Sequence, residues 1–140
     1  MKLEKLNTYN LSMNVGEKVW KIVNTWDDFS KVTLGKQLVE ATDSIALNLS
    51  ESDKIENSKE AKDLACFSLR HLNETKTLLT KASYRKLINE KEYNNISTEI
   101  NMINYLLKKY IGIINHENNN NVKTKDYREN IYERISNYKT

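Results

Sequence analysis

Apolar residues recur along this chain with the period of an α-helix, not the alternation of a strand. Val15, Val19, Ile22, Val23, Trp26 and Phe29 fall on one broad face. Asn14 stands in N-cap position with Glu17 three residues on, so the pattern predicts a first helix from Asn14 to about Ser30. A second helix is predicted from about Thr33 to Glu51, where Leu34, Leu38, Ala41, Ile45 and Leu49 form a narrow seam suited to shallow-angle packing. Beside the seam runs a small or polar row, Gln37, Ala41, Ser44 and Asn48. Residues 50–58 read as a loop and Ser58 as the N-cap of a third helix reaching about Ser83. Its apolar face is Leu64, Ala65, Ser68, Leu72, Thr75, Leu79 and Ala82, widened by Phe67, Leu69 and Leu78. After a turn near Lys86–Glu92, a fourth helix extends from about Lys91 to Asn115 on the stripe Ile96, Ile100, Ile103, Leu106, Leu107, Tyr110 and Ile114.

Residues 1–13 carry no clear pattern and read as an arm. The run Asn118–Asn121 interrupts the helical period, and Tyr127, Ile131, Ile135 and Tyr138 resume it. The segment 118–140 is therefore a polar tail or a short fifth helix, too short to persist without packing. Strand alternation and hairpin dipeptides such as Asn-Gly are missing. The expected fold class is all-α: an antiparallel up-down four-helix bundle over 14–117, because short connections make successive helices antiparallel.

Composition adds bounds to this picture. A chain of 140 residues suits one domain, and with no proline and three glycines long helices meet few breakers. The net charge of +3 is too mild to identify a nucleic-acid binder by itself. Cys66 is the only cysteine, which excludes an intramolecular disulfide and fits a reducing compartment. Met1 opens onto a polar stretch without a signal core, and no apolar run approaches the ~20 residues of a membrane span. These features predict a cytoplasmic protein without a membrane partner.

The sequence offers little for catalysis. His71 lies at the edge of the third helix's apolar face and reads as a partly buried, hydrogen-bonded histidine; His116 lies at the end of the fourth helix and reads as solvated. Neither has the Glu three residues earlier that a di-iron bundle needs, since Ser68 and Ile113 stand there. Gly16, Gly35 and Gly112 are too far apart for a phosphate loop, and Cys66 reads as a small core residue. No enzyme activity, metal or cofactor is expected.

The basic residues are the remaining chemistry. Arg70, Lys81 and Arg85 fall within about 60° of one another on the solvent side of the third helix. Arg70 and Glu74 are spaced as an i,i+4 ion pair. Lys108, Lys109, Lys123, Lys125 and Arg128 cluster toward the end of the chain, with Tyr105, Tyr110, Tyr127, Tyr132 and Tyr138 among them. Such mixtures contact RNA, although Glu117, Asp126, Glu129 and Glu133 dilute the tail toward an ordinary solvated face. Repetition around a ring of subunits would add weak phosphate contacts together. Trp20, Val39 and Leu47 lie off the core stripes and mark an oligomer interface.

The stretch Thr33–Ser52, T-L-G-K-Q-L-V-E-A-T-D-S-I-A-L-N-L-S-E-S, resembles the characteristic helix of a bacterial four-helix-bundle family. That family includes proteins encoded within ribosomal RNA intervening sequences and the accessory variability determinant of diversity-generating retroelements. Its pattern is matched by Gly35, Gln37, Leu38, Ala41, Ser44, Ile45, Asn48 and Glu51. The segment Leu72–Leu79, with Glu74, resembles a second motif, and Trp26 fits an aromatic usual in the first helix. The chain departs from the family at Ser52, where glycine is usual, and at Arg70-His71, where a small pair is usual. The resemblance implies a homopentameric bundle without enzymatic activity. For the retroelement members it implies an adaptor for RNA and a reverse transcriptase. The sequence reading is a nucleic-acid-binding (RNA or DNA) oligomer, or alternatively a homo-oligomeric protein scaffold.

Overall fold

The computed structural model describes residues 3–55 and 57–138, with side chains described for 5–55 and 57–116. Four long helices carry the fold: α1 (Leu3–Val23), α2 (Lys36–Lys54), α3 (Ser58–Tyr84) and α4 (Glu90–Tyr138). A short helical turn, Asp28–Ser30, and a π turn, Lys31–Gly35, lead directly into α2. No strand occurs among the described residues. α1 packs on α2 and α4, and α3 packs on the same two helices. This is the expected up-down bundle, with sequence neighbours side by side and the core between them. Its centre is Val15 and Val19 from α1, Leu38, Ile45 and Leu49 from α2, Leu72 and Leu79 from α3, and Ile96, Ile100, Ile103 and Leu107 from α4. Each such aliphatic side chain contributes about 1.5–3 kcal/mol on burial.

Residues 3–13 do not form an arm: α1 begins at Leu3, and Asn14 lies inside the helix instead of capping it. The reason this start escapes the apolar pattern is chemical. The positions of α1 that face inward are Lys5, Thr8, Ser12, Val15 and Val19, at spacings of three and four residues, and the first three are polar. Lys5 is only 6% exposed. Its ammonium lies 3.3 Å from Asp53 Oδ1 and 5.2 Å from the centroid of the Tyr110 ring. Ser52 completes this end of the bundle, donating to the Ala61 carbonyl at 3.0 Å and lying 3.2 Å from the Tyr110 hydroxyl. The hydroxyl at the Ser52 departure thus ties α2 to α3 and α4. Removing Asp53 leaves a buried ammonium unpaired, whereas removing the ammonium does not. Asp53→Ala should therefore lower stability by about 1–2 kcal/mol in urea melts, discounted for Asp53's own exposure, and Lys5→Met by less. Equal losses from both variants would refute the asymmetry.

The first helix ends at Val23, well before Ser30. Trp26 is buried from the following turn, while Phe29, placed in the core by its spacing, is 76% exposed. The Asp27 carboxylate accepts from Ser30 N and Ser30 Oγ, starting a new helix where the pattern had implied continuation. Gly35 permits the corner to close, because a Cβ there would stand 2.7 Å from Val23 Cγ1 and 3.2 Å from the Ser30 carbonyl oxygen.

α2 continues through part of the expected loop to Lys54, and Asn57, not Ser58, caps α3 by accepting from Lys59 N and Glu60 N. The small-polar row of α2 is only partly packed: Gln37 is exposed. Ala41 is buried, Ser44 and Asn48 return hydrogen bonds to carbonyls one turn back, and Ser68 of α3 donates to the Ile45 carbonyl at 2.9 Å. A hydroxyl reaching a neighbouring helix's backbone requires close approach, which small residues on this edge allow.

α3 ends in a Schellman turn: Leu87 N donates to Ala82 O and Lys86 N to Ser83 O, with Lys86 at φ 57°. Asn89 and Glu92 then form a reciprocal capping box that opens α4. α4 runs unbroken through Asn118–Asn121, so there is no separate fifth helix. Asparagine is a modest helix former, not a breaker like glycine or proline. At ~1.5 Å per residue α4 is about 73 Å long against about 40 Å for α3, so it outruns the bundle.

Candidate nucleic-acid interface

The outer face of α3 is set by what its inner face must bury. With Ala65, Ser68, Leu72, Thr75 and Leu79 inside, the helical period turns Arg70, Lys81 and Arg85 outward, and all three are exposed. Arg70 and Arg85 stand about 22 Å apart along the helix. Arg70 does not engage Glu74: its guanidinium lies over the Phe67 ring, 5.2 Å from the centroid, while Glu74 Oε2 is 3.4 Å from His71 Nδ1. Phe67, expected in the core, is exposed, and so is Tyr84 beside Lys81 and Arg85. The row thus sets cations beside aromatic side chains at both ends, a pairing that RNA contacts use. Asp63 and Glu74 interrupt it on the same side.

Lys108 and Lys109 are exposed, but the structure does not bring them to one point. By the helical period Lys108 shares the Ser97–Asn101 edge that faces α3, whereas Lys109 shares the outer side with exposed Met102 and Tyr105. Tyr110, placed by sequence both on the inner stripe of the fourth helix and among the basic residues, packs against the core in the Lys5–Ser52 cluster. Cys66 is exposed, so it is not the small core residue expected. His71 is half-buried as expected, but its buried Nδ1 makes no hydrogen bond, unlike the hydrogen-bonded histidine expected. The side chains of Lys123, Lys125, Arg128, Tyr127, Tyr132 and Tyr138 lie outside the described residues.

A second surface lies between α1 and α2. Trp20 is 54% exposed and Leu47 62% exposed, as their off-stripe positions implied. Val39 is not part of that surface; it is half-buried against the core. Sequence reasoning missed Leu6 and Met13, which precede Trp20 at seven-residue intervals and are exposed with it. Both lie within 1–13, where polar inward positions hide the helical period. Tyr9, Met13, Glu17, Asp43, Leu47 and Ser50 line a groove along this face. The Asp43 carboxylate lies close to Gly16, where a Cβ would approach its Oδ1 to 3.0 Å.

Partial burial, and then the charge of Glu17, raise the Asp43 carboxyl pKa from its ordinary value. The folded protein therefore holds this proton more tightly than the unfolded chain. The associated stability is complete below the unfolded pKa and is lost as pH rises through the folded one. Asp43→Asn should raise the urea midpoint at neutral pH and match the parent at acidic pH where Asp43 is protonated in both states. A variant that is less stable at neutral pH would contradict the repulsion.

Among the described residues no group of His, Cys, Asp or Glu is arranged to hold a metal ion, and no helix is long and apolar enough to cross a membrane. The architecture is that of an all-α up-down bundle carrying exposed cations on one helix and an exposed apolar stripe on another. The chain belongs to the 23S rRNA-intervening sequence protein family, whose model matches residues 4–109. This is the family whose helix Thr33–Ser52 resembles. A solved structure from Bacteroides thetaiotaomicron, described as a protein of unknown function from the S23 ribosomal protein family, shares the fold. It superposes with a TM-score of 0.74 at 19% identity, covering 79% of this chain and 99% of that one. No curated protein matches the chain.

Proposed function

We propose that this protein is a non-catalytic RNA-binding module that acts as an assembly of several copies, with RNA running along the outer face of α3. The observation that carries the reading is membership, across residues 4–109, of a family described by an intervening sequence of ribosomal RNA. The exposure of Arg70, Lys81 and Arg85 beside Phe67 and Tyr84 supports it chemically. RNA is preferred to DNA, and a reverse transcriptase is not required, because the matched description concerns ribosomal RNA and not a retroelement. Self-association rests on the exposed Leu6–Met13–Trp20 stripe with Leu47, an apolar surface of the kind that marks interfaces. A closed ring, such as the pentamer the family resemblance implies, would repeat each modest basic face and strengthen binding by avidity.

Two measurements test the reading. A gel shift of structured ribosomal RNA should weaken steeply with salt, and absence of a shift at low salt would reject RNA binding. Light scattering should give a multimer that Trp20→Glu with Leu47→Glu reduces to a monomer. The exposed apolar stripe also favours a homo-oligomeric protein scaffold, and an intact multimer without RNA affinity would select that reading.

A further inference from the structure

We propose a second RNA contact at the end of the bundle: the groove between α1 and α4 holds one nucleotide of a single-stranded segment, its phosphates on Lys21 and Lys91 and its base or sugar on half-buried Ile22 beside Asn95. The proposal rests on the RNA-binding reading and adds a place the outer face of α3 does not include. Lys18, Lys21, Ile22, Lys91, Glu92 and Asn95 line this groove, so three lysines and one glutamate rim a floor whose accessible apolar side chain is Ile22, above the buried Ile96.

Each carboxylate near the groove has one oxygen engaged, while Glu99 Oε2 is buried without a hydrogen-bond partner. Glu99 accepts from Lys18 and from Asn14, which also fixes Lys18, together with Asn95, as a wall. Glu92 is turned toward the helix start by its capping box with Asn89. Lys21 and Lys91 are exposed and have no ion pair among the described residues. Two uncompensated ammonium groups on opposite walls, with apolar carbon between them, complement a ligand that is anionic outside and planar or apolar inside. A phosphodiester strand with an unstacked base is such a ligand.

The adjacent corner carries the same sign. Lys86 occupies a left-handed position, φ 57°, where glycine would be unstrained and a side chain is not. Arg85 precedes it, so the α3–α4 turn extends the basic outer face of α3 toward the groove. α4 also begins here, and its first turn adds the positive end of the helix dipole.

The test is fluorescence anisotropy of full-length protein with a short oligouridylate over a salt series, with a 4-thiouridine version of the same probe crosslinked and mapped by mass spectrometry. Lys21→Glu with Lys91→Glu should weaken binding about tenfold and reduce the log–log salt slope by about two. Lys54→Glu with Lys59→Glu, the same charge change at the far end, should have a smaller effect. Crosslinks should fall in the peptides containing Ile22 or Asn95. Unchanged affinity in the Lys21/Lys91 variant, or crosslinks confined to α3, would overturn the groove while leaving RNA binding intact. If the parent protein binds neither the oligouridylate nor structured RNA at low salt, the RNA-binding reading fails and the groove inference with it.

Discussion

Gly35→Val is expected to abolish or nearly abolish folding, whereas Gly112→Ala should stabilise the protein. Gly35 sits in the π turn where α2 leaves the α1 corner, and even a bare Cβ would meet Val23 Cγ1 at 2.7 Å and the Ser30 carbonyl at 3.2 Å. Neither neighbour can yield cheaply, since valine is stiff at χ1 and the carbonyl belongs to the turn itself. Overpacking of one methyl group costs about 1–3 kcal/mol, and the branched methyls of valine add more against a total stability on the order of 5–15 kcal/mol. Gly35→Ala should fall between, because improved helix propensity returns about 1 kcal/mol. Gly112 is also helical, but nothing lies within 4 Å of its added Cβ, so alanine there should gain about 0.5–1 kcal/mol. Thermal melts by circular dichroism separate the two. A Gly35→Val protein that melts with the parent would mean that the α1–α2 corner has another packing available.

The second large effect concerns RNA. Arg70→Ala, Lys81→Ala and Arg85→Ala together should reduce affinity on the order of 100-fold at low salt and lower the log–log salt slope by about three, one counterion per lost phosphate contact. All three side chains are exposed, so the thermal midpoint should change little. Arg70→Lys is a finer probe: lysine keeps the charge but not the planar stack over Phe67, so its deficit should exceed that of Lys81→Arg. Full RNA binding by the triple variant would place the RNA elsewhere on the surface. Loss of binding together with loss of the helical signal would mean the row is structural.

Three inner stripes were legible because their chemistry was uniform. Leu38, Ile45 and Leu49, then Leu72 and Leu79, then Ile96, Ile100, Ile103 and Leu107 are apolar at helical spacing, and all are buried. The family was legible for a related reason, since Gly35, Ala41 and Ser44 are residues whose smallness or polarity serves packing at definite positions. The basic row on α3 was legible as a row, because once the buried side of a helix is known, the period assigns the exposed side.

What the sequence determined by itself, then, was a bundle of four main helices in antiparallel order and the buried stripes of the last three. Tertiary structure alone decided where polar groups go when the inside is not apolar. Lys5, Thr8 and Ser12 line the inner face of α1, and a lysine is buried only because Asp53 and Tyr110 arrive from α2 and α4. It also decided the partners of the aromatics, setting the Tyr110 hydroxyl against Ser52 and leaving Phe67 outside beneath Arg70. The physical reason is the same in each case. Periodicity reports the average polarity of a helix face, whereas the fate of a single polar or aromatic side chain depends on partners supplied by other helices at that height in the bundle.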